Sequence, residues 1–448
     1  MAPTLRAFRI HLATSNSYIA ARPHILRYGK HSSRVCRWYS AALSPSTSVV
    51  VIGAGPGGIT VVGNLLEHGA TLQADQRKLF WVDPHFQGGR VNSHYREVPS
   101  NTKVGLFVQF AHDVSPFEAI VKTAPKPNAL TALQELPQDQ GCRLSYAADM
   151  CVMLTDGLIS HPQVQPHQAK VTSAILDKQT NVWIVSFDDG GNVLTSKIAL
   201  CTGSSPIWKA LPGIESLDQK SLKPVDLDVV LSPSRAVKAF NPNTRSTVAV
   251  VGASHSAILV LMNLVNLANT THPNLRIKWF SRNELRYAEY MDGWILRDNT
   301  GLKGQAAEWA HQNLDEKAFP NSPVSKFITK VWTAGNEEEV YRAEMPGCKY
   351  IVQAVGYAPN PLPRLEIIRE DGGIAEPLEV EFDHSNGRFY EKDNSETEGD
   401  RKYVPGLFGA GIAFPERVTD PRGNVEYAVG FWKFMKFVKK VVPAWVKS

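Results

Sequence analysis

Two stretches of this 448-residue chain repeat one pattern of apolar and small residues. In the first, the apolar run Val49–Ile52 stops at Gly53-Ala54-Gly55-Pro56-Gly57-Gly58, and apolar residues resume at Ile59-Thr60-Val61-Val62. A short apolar run closed by glycines reads as a buried strand, and the resumed run as a helix. A second strand, Lys78–Val82, ends at Asp83. In the second stretch Thr247–Val251 stops at Gly252-Ala253-Ser254-His255-Ser256-Ala257. An apolar helix then covers Ile258–Leu267, and the strand Arg276–Phe280 ends at Ser281-Arg282. Gly53 precedes Asp83 by 30 residues, and Gly252 precedes Arg282 by 30. Two strand–turn–helix–strand units with one spacing are far harder to obtain by chance than one.

The same patterning predicts the rest of the chain. Lys170–Leu176, Val182–Phe187 and Val193–Leu200 read as a meander, with Asp188–Asn192 as the turn between the last two. The third strand runs into Cys201-Thr202-Gly203. Lys349–Val355 is another strand, ending at Gly356-Tyr357, and Leu378–Tyr390 reads as a hairpin. A polar turn at Pro99–Lys103 either presents Asn101 or Lys103 to a cofactor ring or is only a loop. Residues 221–244, rich in Pro, Ser and Lys, read as a linker, and Leu285–Ala310 as loop-rich. A last helix is expected over Val425–Val442. It either packs on the first unit or lies on a membrane surface.

The turns carry the chemistry. Gly53 permits a tight turn, Gly55 lets backbone approach a pyrophosphate, and Gly58 lets the helix pack on the strand; Pro56 and Gly57 complete the turn. The phosphates would sit on free N–H groups at the positive end of the helix. Asp83 is placed to accept both hydroxyls of an adenosine ribose, with the polar Thr71–Arg77 as a loop insertion that lengthens the spacing. Gly88-Gly89-Arg90 can approach a second phosphate. In the second unit Gly252, Ser254, His255, Ser256 and Ala257 form the turn, its small residues standing where the first unit has glycines. That strand ends in Ser281-Arg282, which would bind a 2′-phosphate that an acid would repel, so NADP is expected over NAD.

Composition narrows the class. The 43% hydrophobic share supports a sizeable core, and the length predicts two or three domains at ~150 residues each. Residues 1–45 hold no Asp or Glu but seven Lys and Arg, the composition of an organelle transit peptide. Arg37-Trp38-Tyr39-Ser40 resembles a mitochondrial processing site. Removing 39 residues takes the formal charge from +5 to about −2, so no basic surface remains to argue for nucleic acid. A mitochondrial location, most simply the matrix, is expected. The five cysteines form no CxxC pair, and no histidine falls in a metal-binding frame.

With these motifs the chain resembles the two-dinucleotide-binding-domain flavoproteins, which include pyridine-nucleotide disulfide reductases and flavin-dependent monooxygenases. The resemblance rests on Gly53–Gly58, Cys201-Thr202-Gly203, Gly252–Ala257, Ala354-Val355-Gly356-Tyr357 and Gly406–Ile412. It implies an α/β fold of two Rossmann-like domains, the NADP domain inserted into the FAD domain. The implied boundaries are 46–235 and 346–448 for the FAD domain and 236–345 for the NADP domain, after a 1–45 leader. It also implies FAD and NADPH as cofactors. Thr202, Gly203 and Gly356 would mark crossings between the domains, and Gly409, Gly411 and Ile412 would touch the flavin ribityl chain. The family's last motif usually ends Gly-Asp, whereas here Ile412 follows Gly411. Without a close cysteine pair the disulfide-reductase branch is set aside. The expected activity is hydride transfer from NADPH to FAD and on to a small-molecule acceptor. The alternatives are an N-hydroxylating or Baeyer–Villiger-like monooxygenase and a non-catalytic dinucleotide-binding protein. No residue stands in a motif that names it as a catalytic acid or base.

Overall fold

A computed structural model of the chain describes residues 46–69, 78–214, 222–369, 373–392 and 401–447. The expected leader, the Thr71–Arg77 insertion and most of the charged Glu391–Arg401 loop lie outside the described residues.

Three sheets organise the molecule. The first has seven strands, in the spatial order Val380–Asp383, Arg388–Glu391, Tyr403–Gly409, Ile198–Leu200, Val49–Ile52, Leu79–Val82 and Val164–His167. From Tyr403–Gly409 onward the neighbours are parallel. Both faces of its centre are covered, which is why Ile198–Leu200, Val49–Ile52 and Leu79–Val82 are apolar throughout rather than alternating. Val49 and Val51 face a layer of helices that includes Pro56–Glu67 and the C-terminal Phe431–Lys447. Val50 and Ile52 face the third sheet, built around Val171–Asp177 and Val182–Phe187.

The second sheet has five parallel strands in the order Lys223–Pro224, Tyr350–Gln353, Ser246–Val251, Leu275–Ser281 and Ile328–Trp332. Its chain segment falls between Ile198–Leu200 and Tyr403–Gly409 of the first sheet, so one α/β unit is inserted into the other. The C-terminal helix closes the first unit: Phe431 meets Phe107 and Phe110 edge-on, and Asn64 Nδ2 lies 3.3 Å from Met435 Sδ. Its lysines pair outward, Lys439 with Asp113 and Lys440 with Glu416. No helix among the described residues is long and apolar enough to cross a membrane.

Several expectations from the pattern need correction. Val193–Leu200 is not one strand. Asn192–Thr195 pairs antiparallel in the third sheet, and Ile198–Leu200 pairs parallel in the first. The joint is held by Thr195 Oγ1, which donates to the Lys197 carbonyl and accepts from its N–H. The polar run Thr195-Ser196-Lys197 marks this joint in the sequence. Residues 221–244 are not a linker: the short helices Leu227–Val230 and Pro233–Ala239 bury Leu227, Val230 and Ala236 in the core of the second unit. Pro99–Lys103 is a strand paired with Gly141–Arg143 rather than a turn. The helix Gly304–Asn313 begins inside the stretch read as loops, seated by buried Ala306 and Ala310. The last helix starts at Phe431, because Val425–Ala428 pairs with Glu416–Thr419 and Gly430, with φ +141°, breaks the chain direction between them.

Candidate active site

The first turn is pinned by its neighbours on both sides. Gly53 has φ +107°, its N–H donates to the Val82 carbonyl at 2.8 Å, and its own carbonyl accepts from Trp81 Nε1 at 2.9 Å. A Cβ on Gly53 would lie 2.3 Å from the Cys201 carbonyl oxygen, so no other residue fits. The helix Pro56–Glu67 starts with Gly55 as its cap and with no side chain on its first N–H groups. Two further glycine turns meet it there. A Cβ on Gly89 would stand 2.6 Å from the Gly55 Cα, and one on Gly57 would stand 2.9 Å from the Gly411 Cα. Beside this cradle the Thr202 hydroxyl is buried without a hydrogen-bond partner. A cradle that side chains would fill, open helix N–H groups and an orphaned hydroxyl together fit a dinucleotide diphosphate.

Two of the expected contacts look different in the structure. Asp83 accepts from the N–H groups of Ala54 at 2.7 Å and of His85 and Phe86 at 2.8 Å. A carboxylate offers about four acceptor positions, so about one is left for a ribose hydroxyl rather than room for both. Its larger task is to tie the end of the second strand to the first turn. Arg90 is not free to meet a second phosphate: it is paired with buried Asp228 and donates to the Tyr95 hydroxyl at 3.2 Å. Gly409 ends its strand against the rings of Phe389 and Phe414. Ile412, 40% exposed, stands directly after the Gly411 turn.

The second turn is built the same way. Gly252 has φ +130°, donates to the Phe280 carbonyl at 3.0 Å and accepts from Trp279 Nε1 at 2.7 Å. Its Cβ would lie 2.3 Å from the Ala354 carbonyl oxygen. The helix His255–Asn269 starts at Ser254, again with no side-chain cap. His255 Nδ1 is buried without a partner, and burial, aided by the charge of Lys303, pushes this imidazole down to about 4. It is therefore neutral at pH 7, and its Nδ1 is a buried polar atom at a helix N-terminus. Ala257 is fully buried beneath the turn. Ser281 is buried, and Arg282, 66% exposed, makes only a loose pair with Glu337 at 3.8 Å. Arg282 lines a cavity of about 520 Å³ together with Arg286, Arg297 and Trp332.

The crossings join the two units. Gly203 and Gly356 both have positive φ, +72° and +117°. Beyond them Ser204–Pro206 pairs antiparallel with Tyr357–Pro359, and Asn360 bonds back to the carbonyls of Thr202 and Gly203. The motif reading missed the polar chain that spans the same junction. Tyr95 donates to Asp228 at 3.0 Å and accepts from Arg90 at 3.2 Å, and Tyr357 lies beside both Tyr95 and Ser256. Burial, first of all, pushes both phenols up, so they stay protonated as donors. Only the Tyr after Gly356 carried a sequence signal; Tyr95 and Asp228 lie in no motif. A second inter-unit contact runs from Lys433 to Asp298 at 2.6 Å and from Glu426 to Asn299.

Between the units lies a cleft of about 830 Å³, walled by Pro99–Lys103 on one side and Tyr287–His311 residues on the other. Asn101 and Lys103 both line it. Cys142, Cys151, Cys201 and Cys348 are all free, and burial pushes the Cys348 thiol up to about 11 and that of Cys201 to about 12. Such thiols are poor nucleophiles. Among the described residues no group of His, Cys, Asp and Glu could hold a metal.

Comparison with known proteins agrees with this geometry. A family model described as FAD-NAD(P)-binding matches residues 50–205. The chain is 50% identical over 407 residues to the monooxygenase AgnR1 of Paecilomyces divaricatus, covering 90% of this chain and 98% of that protein. Among solved structures it is similar to a flavin-containing monooxygenase from Stenotrophomonas maltophilia, with TM-score 0.52 and 13% identity over 90% of this chain and 99% of that one. It is also similar to a bacillithiol disulfide reductase from Staphylococcus aureus, with TM-score 0.50 and 10% identity over 90% and 99%. At those identities the two structures speak to the fold alone.

Proposed function

Because the chain belongs to the two-dinucleotide-binding-domain flavoproteins, as an FAD- and NAD(P)-binding oxidoreductase related to AgnR1, we propose that it is an NADPH-dependent flavin monooxygenase acting on a small organic molecule. The observation that carries this reading is the kinship with a monooxygenase over nearly that protein's whole length. The four described cysteines, all free, support it by forming no dithiol relay among themselves. The plain NADPH reductase expected from the sequence is the alternative that the experiment below separates.

FAD, when bound, supplies the redox chemistry: it takes a hydride from the nicotinamide and passes the electrons on to oxygen. The residues of the chain do the rest. The turns at Gly53–Gly58, Gly88-Gly89 and Gly409–Gly411 would hold the FAD diphosphate, and Asp83 would orient the adenosine end. The turn Gly252–Ala257 would hold the NADPH diphosphate, with His255 Nδ1 as an added partner. Ser281 and Arg282 would take the 2′-phosphate, an anion that a guanidinium grips in a fork. The crossings at Gly203 and Gly356 set the two turns against one junction, where the two cofactors would meet. We also place the working enzyme in the mitochondrial matrix, on the composition of residues 1–45; a fluorescent fusion of that segment would test this.

The test of function is an anaerobic titration of the purified protein with NADPH, followed by re-oxidation. Bleached flavin that recovers rapidly with O₂ supports the monooxygenase. Recovery with quinones but only sluggishly with O₂ returns the reductase to first place.

A further inference from the structure

The cleft between the units holds a histidine that neither cofactor site uses. His311 lies on the helix Gly304–Asn313 and lines the cleft. Its Nδ1 is 2.7 Å from Asp315 Oδ2. Its ring stacks on that of Tyr287, with centroids 3.6 Å apart and planes 13° apart. The Tyr287 hydroxyl donates to the other oxygen of Asp315. Burial, aided by that bond, pushes the Tyr287 phenol up and keeps its proton on it. A carboxylate only accepts, so the imidazole donates from Nδ1 and, in its neutral form, carries its lone pair on Nε2. The stack and the carboxylate fix the ring, leaving Nε2 as the nitrogen not already engaged by Asp315. This is the arrangement of a base with an orienting acid.

The walls select what that base would meet. Tyr287 and Tyr290 bring aromatic faces, and Tyr290 is 65% exposed. Lys103 stands 5.7 Å from the Tyr290 ring centroid, and Arg143 lies on the same side of the cleft. Asp139 and Glu308 also line the space. Two cations near two acids do not suit a ligand that arrives as a polyanion. They do suit a flat aromatic that arrives neutral and gains charge at one oxygen. The cleft volume of about 830 Å³ fits a compound of several fused rings.

We propose that this cleft binds a phenol and that His311, oriented by Asp315, is its acid–base residue. Nε2 accepts the phenolic proton, the O–H electron pair stays on the substrate oxygen, and the resulting imidazolium is held by Asp315. Nothing is oxidised or reduced in this step. The phenolate carries more electron density on its ring and is the better acceptor of an oxygen atom; that consequence rests on the monooxygenase reading, whereas the binding and the proton transfer do not.

The probe is 4-nitrophenol with the flavin-loaded protein, held at about pH 7, where about half of it is phenol in solution and an ordinary imidazole is mostly neutral. Binding to the wild type should raise the nitrophenolate band in the difference spectrum. His311→Gln should still bind the probe by equilibrium dialysis but show no band. Asp315→Asn, which keeps a hydrogen bond and loses the charge, should weaken the band about tenfold. 4-Nitroanisole, which has no proton to give, should bind without the change. No band in the wild type, or a band kept in His311→Gln, overturns the proposal. Flavin content reports folding; if His311→Gln does not fold, the wild-type and Asp315→Asn spectra decide. Anaerobic bleaching by NADPH needs no phenol, so failure there counts against the function and not against this site.

Discussion

The two nucleotide units share a backbone and differ in what they put on it. Trp81 and Trp279 occupy one register position, opposite Val51 and Val250, and each donates to the carbonyl of its turn's first glycine. Gly53 and Gly252 are hemmed in at the same 2.3 Å by the residues that begin the two crossings, Cys201 and Ala354. The difference lies one step further on. A Cβ on Gly58 would fall 1.9 Å from the Gly53 carbonyl, whereas its counterpart Ala257 carries one. Gly57 touches Gly411, whereas its counterpart Ser256 reaches Tyr357. The first turn is closed down by two other glycine loops, while the second is wider and lined with polar side chains. The fold thus builds the same turn twice, and a few side chains make the two turns differ.

The comparison can be broken most severely at Gly57. Gly57→Val would drive a side chain into the Gly411 backbone and should give colourless protein, with bound FAD reduced at least about tenfold as read by absorbance. Ser256→Val, at the matching position, should leave the flavin in place. Flavin kept in Gly57→Val would show that the three loops do not form its cradle.

The next largest effect concerns pH, and of the two turns only the second should show it, because the residue matching His255 is Pro56. The folded protein holds His255 at about 4, below its ordinary 6.5, so the unfolded chain binds its proton more readily. The contribution is therefore complete above about pH 6.5 and is lost as pH falls toward 4, by at most about 3 kcal/mol. Urea melts of the nucleotide-free protein should show that slope, and His255→Gln should flatten it. An unchanged slope in His255→Gln would assign it elsewhere.

Arg282→Ala should raise the KM for NADPH about tenfold and leave that for NADH nearly unchanged. The exposed, loosely paired guanidinium puts its charge-assisted bond at the lower end of ~1.5–3 kcal/mol. Equal effects on both coenzymes would remove the 2′-phosphate assignment. The most symmetric effect belongs to the tryptophans. Trp81→Phe and Trp279→Phe each delete one indole hydrogen bond to a turn carbonyl and should cost about 1–3 kcal/mol in urea melts. Unequal costs would show that the two turns are not held alike.

Much of this was legible in the sequence because it depends on spacing. A turn that admits only glycine, an apolar strand before it and a second strand 30 residues on leave a trace that periodicity can read. The first and second turns can be read that way, whereas the crossings at Gly203 and Gly356 are what the family resemblance implies. What stayed hidden depends on partners distant in the chain. The polar Thr195-Ser196-Lys197 lies between Asn192–Thr195 and Ile198–Leu200, but only the sheets they join show that the chain changes partners there. Asp83 and Arg90 were assigned to ligands because their residue types suit anions and sugars, yet each is largely engaged by the protein itself, through Ala54, His85 and Phe86 in one case and Asp228 in the other. The junction tyrosine Tyr95 and the base His311 stand in no motif, since the geometry that gives them roles comes from Tyr357 and from Asp315.

The short ribbon of Ser204–Pro206 and Tyr357–Pro359 has a consequence for how such a protein changes over time. The chain leaves the flavin unit and returns to it at neighbouring points of one ladder. The distance between those points is set by hydrogen bonds, not by the length or content of the segment they enclose. That segment can lengthen, shorten or trade its strand-end charges without pulling on the first sheet, and closing a longer excursion adds little entropy cost. The inserted unit behaves as a cassette, so coenzyme preference can drift independently of the flavin cradle it serves.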